Sequence, residues 1–158
     1  MSQFLRFALG SGHCVVDLGQ VREILEIGPL TPVPLMPAFV RGVMNLRGAV
    51  VPVIDLGTRL GLEVTRLGRR SCIVMIDLSL AHRDGPLALG MLVDAVEEVF
   101  EAGESDHEAV PPLGTWINRG YLRSMVRVRG VATPELDLQA TLDPTALGAL
   151  IGEHALPH

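Results

Sequence analysis

The sequence predicts a mainly β protein built as small barrels or a sandwich. Three observations point there. Nine or ten short apolar runs are separated by Gly- and Pro-rich turns. The core must be aliphatic, because 48% of the chain is hydrophobic and only 4% aromatic. Long helical periods alternating with strands, the mark of βαβ units, are missing.

Phe4 to Leu9 alternates as a first strand, Gly10-Ser11-Gly12 turns it, and His13 to Asp17 is the return. Leu18 to Ile24 carries helical spacing, with Leu18, Val21 and Leu25 on one face. Asp17 is placed to cap it, with Gln20 completing a loose capping box. Pro29, Pro32, Pro34 and Pro37 make Gly28 to Pro37 an extended connector. Val43 to Leu46 and Ala49 to Ile54 form a hairpin around Arg47-Gly48. Asp55 to Leu60 reads as a short capped helical turn. Ser71 to Leu78 is a buried strand, paired with Leu87 to Val93 across the loop Ala81 to Pro86. Val96 to Phe100 is a further strand, and Glu101 to Asn118 a surface loop. Tyr121 to Val128 and Val131 to Leu138 form a closing hairpin around Arg129-Gly130, with Pro134 marking an edge or a bulge. Asp143-Pro144 starts a C-terminal helix to about Ile151, and the tail from Glu153 frays.

Charge and composition exclude several functions. The net charge is −5, the wrong sign for a nucleic-acid binder or for adhesion to an anionic membrane surface. All 13 cationic side chains are Arg, so no Walker-A, Schiff-base or kinase-type lysine exists. No apolar run approaches the roughly 20 residues that span a bilayer, and the N-terminus lacks signal-peptide architecture. Cys14 and Cys72 lie in apolar stretches without a C-x-x-C pattern. They are expected to be reduced and poorly reactive.

Catalytic constellations are equally scarce. His13 and Cys14 are adjacent on a strand and point to opposite faces. His82, His107, His154 and His158 are scattered, so no metal site and no cofactor are expected. No nucleophile elbow or phosphate loop occurs. Two apolar residues followed by Asp recur at Asp17, Asp55 and Asp77, more loosely at Asp94 and Asp137. Each is read as a strand-end Asp that turns or caps the next stretch of chain. A compact aliphatic chain without an active site is expected to be a binding module.

The run Pro37-Ala-Phe-Val-Arg-Gly42-Val-Met-Asn-Leu-Arg47-Gly48-Ala-Val-Val-Pro52-Val-Ile-Asp55-Leu56 resembles the signature of the CheW-like domain family. Phe4 to Leu9, Val21-Arg-Glu23-Ile24, Leu89-Gly90-Met-Leu-Val93-Asp94-Ala-Val96 and Gly120-Tyr121-Leu122 extend the resemblance over roughly residues 3 to 150. It implies two small five-stranded SH3-like β-barrels sharing a hydrophobic joint, with short helices and a C-terminal helix. The single domain over 1–158 would divide at roughly 12–68 and 69–140, with the N-terminal strand able to cross over and 141–158 as helix and tail. No phosphotransfer, ATPase or receiver segment lies outside the match, which points to the stand-alone coupling protein. Pro134-Glu135 and Ser124-Met125 depart from the family pattern in the second barrel.

The resemblance further implies a non-enzymatic cytoplasmic adaptor. It would couple the cytoplasmic tip of a methyl-accepting chemoreceptor to the regulatory domain of a CheA-type histidine kinase, without a cofactor, a nucleic acid or membrane insertion. Val21, Glu23, Ile24, Gly42, Arg47, Cys72, Ile73, Gly90, Val96 and Val99 occupy the positions matching the receptor groove. Core packing is the competing reading for the apolar ones, and a turn requirement for Gly42. Glu23 and Arg47 are expected to form a partly exposed ion pair at that groove. A small-molecule sensor or a cryptic enzyme on the same scaffold are the rival readings.

Overall fold

The computed structural model describes residues 1–79 and 85–142. Eleven strands among them form two sheets. β1 (Ser2–Leu9) and β2 (Gly12–Asp17) form the expected first hairpin. β3 (Val21–Glu26), β4 (Val40–Leu46), β5 (Ala49–Asp55), β6 (Cys72–Leu78) and β7 (Leu87–Val93) come next. Then come β8 (Ala95–Ala102), β9 (His107–Glu108), β10 (Leu122–Val128) and β11 (Val131–Leu136). Two short helices are α1 (Leu56–Arg59) and α2 (Leu138–Leu142).

The strand order is β8-β1-β2-β11-β10-β9 in sheet A and β3-β6-β7-β5-β4 in sheet B. The sheets therefore divide the chain differently from a cut at residue 68. Residues 72–93 join the sheet of residues 21–55, and the first hairpin completes the sheet of residues 95–136.

Strand alternation produces three cores. Side chains of both sheets, including Leu5, Phe7 and Val16 from A and Val74, Ile76 and Met91 from B, form the joint between them. Sheet B encloses Met44, Val51, Val53, Ile73, Met75 and Leu92. Sheet A encloses the smaller group Phe4, Val15, Ala102 and Val126.

Several expectations are corrected. Leu18 to Ile24 is not a helix: a 3-10 turn over Leu18–Gln20 leads into β3. Pairing with β6 decides for a strand, and the extra residue at Arg22 sends Val21 to the joint and Leu25 to the sheet B core. Asp17 does cap, but onto Gly19 N–H at 2.8 Å, an Asx turn without Gln20. β8 extends to Ala102, and the loop after it contains a 3-10 turn and the short β9. Pro134 is neither at an edge nor in a bulge. It lies in β11 opposite Met125 of β10, and the bulge is on β10, between Leu122 and Ser124. Its missing N–H is tolerated because β2 pairs with β11 only at Val15 and Glu135. Leu138 starts α2 instead of ending a strand; Asp137 accepts from Ala140 N–H at 3.1 Å. The helix expected from Asp143 and most of the Ala81 to Pro86 loop lie outside the described residues.

The strand-end Asp reading holds at Asp17, Asp55 and Asp137. Asp55 is fully buried and accepts from Thr58 N–H, Thr65 N–H, the Thr65 hydroxyl and Arg41 at 2.9 to 3.1 Å. It caps α1 and pins the loop after it. Asp77 instead pairs with Arg22 at 3.5 Å, and Asp94 accepts from Gly10 N–H at 2.6 Å in the first hairpin. The five carboxylates serve five separate places.

Candidate functional site: the rim of the joint

Strand register decides which of the ten candidate residues meet. Val21 pairs with Ile76 and Ile24 with Val74, so both lie on the joint-facing side of β3. Cys72 shares that face of β6 by alternation with Val74 and Ile76. On β8, Val96 pairs with Phe7 and Val99 with Leu5, again the joint-facing side. β3 and β8 are edge strands of their sheets. These five apolar side chains form a strip, or shallow trough, along the joint beside the two edge strands. Val21, Cys72 and Val96 form its half-buried floor. Ile24, 44% exposed, and Val99, 49% exposed, stand on its lips.

Bulges make this convergence possible. Residues three apart on a regular strand face opposite ways. One extra residue in β3, at Arg22, puts Val21 and Ile24 on one face. One extra residue in β8, at Glu97, does the same for Val96 and Val99. Glu97 turns its carboxylate to Arg6 at 3.2 Å and to His13 Nδ1 at 2.5 Å.

Glu23 and Arg47 form the expected ion pair, although Glu23 lies on a strand and not on a helical turn. Glu23 comes from β3 at one edge of sheet B and Arg47 from the β4–β5 tip at the other. The pair therefore ties the two edges of the curled sheet. Farther along, Thr31, in the connector beyond β3, exchanges two backbone hydrogen bonds of 2.8 and 2.9 Å with Val43 of β4.

The remaining three candidates face inward. Ile73 is fully buried in the sheet B core. Gly90 lies on the same interior face, where a Cβ would fall 2.7 Å from Ile73 Cγ2. Gly42 has φ +147° and lies under the Thr31 carbonyl, 2.5 Å from where a Cβ would sit. Gly42 thus permits the edge closure and Gly90 the packing; neither offers a side chain to a ligand.

The thiols differ in environment. Burial, with the nearby Glu97 charge, pushes the Cys14 thiol well above its ordinary 9.0. Partial burial raises Cys72 as well, opposed by the nearby Val96 backbone amide.

Sequence reasoning did not anticipate Arg59. Its guanidinium lies 4.9 Å from the Phe39 ring centre and 5.7 Å from that of Tyr121, and Nε–H donates to the Thr141 carbonyl at 2.6 Å. It clasps the connector of sheet B to α2 and the start of β10. Its only sequence signal is a cation in the last turn of α1.

One polar cluster has the residue types of a hydrolase. Ser124 Oγ lies 3.0 Å from His107 Nδ1 and donates to Glu135 Oε1 at 2.8 Å. A hydroxyl that gives its proton to the carboxylate is not activated by the imidazole, so the arrangement is a polar ladder and not a nucleophile. It joins the two departures from the family pattern, since Ser124 and Glu135 are cross-strand partners. Among the described residues no group of three His, Cys, Asp or Glu could hold a metal ion. No helix among them is long and apolar enough to cross a membrane.

The CheW-like domain family model matches residues 3–145. The chain is similar to the chemotaxis protein CheW of Rhizobium meliloti, 31% identical over 137 residues, 85% of this chain and 84% of the relative. It is also similar to protein FrzA of Myxococcus xanthus, 30% identical over 128 residues, 81% and 76% of the two chains. Among solved structures, the scaffolding protein TtCheW of Thermoanaerobacter tengcongensis superposes with a TM-score of 0.76 at 27% identity. That match covers 87% of this chain and 89% of the other.

Proposed function

The chain belongs to the CheW-like domain family, and from that premise we propose that it is a non-enzymatic adaptor coupling chemoreceptors to a CheA-type histidine kinase. The apolar trough on the rim of the joint carries this reading. An amphipathic helix of the receptor tip laid along it would cover Ile24 and Val99 and reach the half-buried Val21, Cys72 and Val96. The neighbouring Glu23–Arg47 pair would set its register. Gly42, Ile73 and Gly90 support the receptor site from inside, by keeping sheet B closed and the trough wall in place. The kinase's regulatory domain would use a different surface, so both partners bind together. The adaptor would work in the cytoplasm, recruited to receptor arrays at the inner membrane.

The test is calorimetric titration with the cognate receptor hairpin tip and, separately, with the kinase regulatory domain. Ile24→Glu and Val99→Glu should each abolish or strongly weaken receptor binding and leave kinase binding intact. Equal loss of both partners, or undiminished receptor binding by both variants, would overturn the assignment of the trough.

A further inference from the structure

At the tip of the first hairpin lies a cleft of about 940 Å³, within the size range of small-molecule sites. None of the ten trough candidates lines it. It exists because β2 and β11 are in register only at Val15 and Glu135. Toward their N-terminal ends the strands part, and Gly12 and His13 face Val131 and Thr133 across the gap. The loop pinned by Asp55, from Gly61 to Arg66, forms the far wall.

The chain's single Trp lines this cleft. Trp116 lies against Gly12, where a Cβ would fall 2.5 Å from its Cζ2, and 40% of the residue remains exposed. An exposed indole held in place by a glycine, with Val64 and Val131 exposed on the same cleft, is a flat apolar seat. The charges beside it are unequal in availability. Arg6 is engaged by Glu97, and Asp94 by Gly10 N–H. Arg66 is exposed and makes no ion pair among the described residues.

We propose that this cleft binds a small aromatic carboxylate, its ring on Trp116 and its carboxylate on the Arg66 guanidinium. One planar, singly charged group matches one available guanidinium fork. A doubly charged phosphate would meet Glu63 and Asp94 on the same lining, where among the described residues the other cationic side chains, Arg6 and His13, are both held by Glu97. Such a ligand makes the adaptor itself responsive to a solute, independently of receptor docking.

Calorimetry and acrylamide quenching of Trp116 emission test this on the full chain, with naphthalene-2-carboxylate as probe. Naphthalene-2-methanol, cyclohexanecarboxylate and inorganic phosphate are the controls. The naphthoate should bind saturably, shield Trp116 from acrylamide, and bind at least about tenfold tighter than each control. Arg66→Gln, a surface change that leaves the fold alone, should weaken it about tenfold and abolish its advantage over the alcohol. Trp116→Leu should weaken the naphthoate and leave cyclohexanecarboxylate unchanged. Absence of saturable naphthoate binding up to about 10 mM, equal binding of the alcohol, or indifference to Arg66→Gln overturns the proposal.

Discussion

The two sheets curl around interiors of opposite character. Sheet B encloses only aliphatic and Met side chains, with Leu25, Leu46 and Ala88 closing over the buried six. Sheet A has an apolar end at Phe4, Val15, Phe100, Ala102 and Val126. The same inner face also carries Arg6, His13, Ser124, Thr133 and Glu135 by cross-strand pairing with these residues or alternation along their strands. The first interior is specified by volume, the second by hydrogen-bond partners. Substitutions should therefore fail in different ways on the two sides.

The largest effect is expected in sheet B. Ile73→Ala removes a fully buried side chain from a close-packed site and should cost about 2–5 kcal/mol in denaturant unfolding. A loss below about 1 kcal/mol would mean that Gly90 lets the strands collapse into the space. In sheet A, Ser124→Ala should cost about 1–3 kcal/mol by stripping Glu135 of its hydroxyl donor. The contrast is sharpest in the double variant Ser124→Val with Glu135→Leu, which should regain most of that loss, because both buried partners go and only the His107 imidazole, 29% exposed and open to water, loses a contact. If the double variant is worse than the single one, shape governs sheet A too.

Arg47→Glu probes the seam and not an interior. The pair is partly solvent-exposed, so the fold should lose only about 0–1 kcal/mol, while receptor affinity drops by about an order of magnitude. Glu23→Arg added to it should restore part of the affinity. Normal receptor binding by Arg47→Glu alone would count against the register role.

The smallest effect concerns the thiols. Both should stay protonated at neutral pH, with Cys14 inert to a thiol reagent in the native protein and Cys72 reacting slowly. A folded-state value raised above 9.0 means that the Cys14 contribution to stability is complete below pH 9 and is lost as the pH rises beyond it. A Cys14→Ala variant should therefore lose less stability than the parent between pH 9 and 10. Identical pH slopes would contradict the burial effect.

Much of this was legible from local chemistry. Hairpins at Gly10–Gly12, Arg47–Gly48 and Arg129–Gly130 are written in their turn residues, with Arg47 and Arg129 themselves at positive φ. Asp capping at Asp17 and Asp55 was equally readable. Sheet membership was not, because β1 finds β8 across more than 80 residues and no local pattern encodes that choice. Face assignment failed for a related reason. The bulges at Arg22 and Glu97 reverse the two-residue alternation, which taken alone would put Val21 opposite Ile24 and Val96 opposite Val99.

The crossing of the first hairpin into the later sheet also sets an order of events during synthesis. Every strand of sheet B lies between residues 21 and 93, so that sheet has all its parts once residue 93 leaves the ribosome. β1 and β2 emerge first yet must wait for β8, β10 and β11 before their sheet can close. Until then Leu5, Phe7 and Val16 have only sheet B to cover them, through the joint. Sheet B then serves as the template against which the oldest and the newest parts of the chain meet. Pulse-labelled hydrogen exchange during refolding should accordingly protect the β6–β7 pairing before the β1–β8 pairing, which joins residues more than 80 apart.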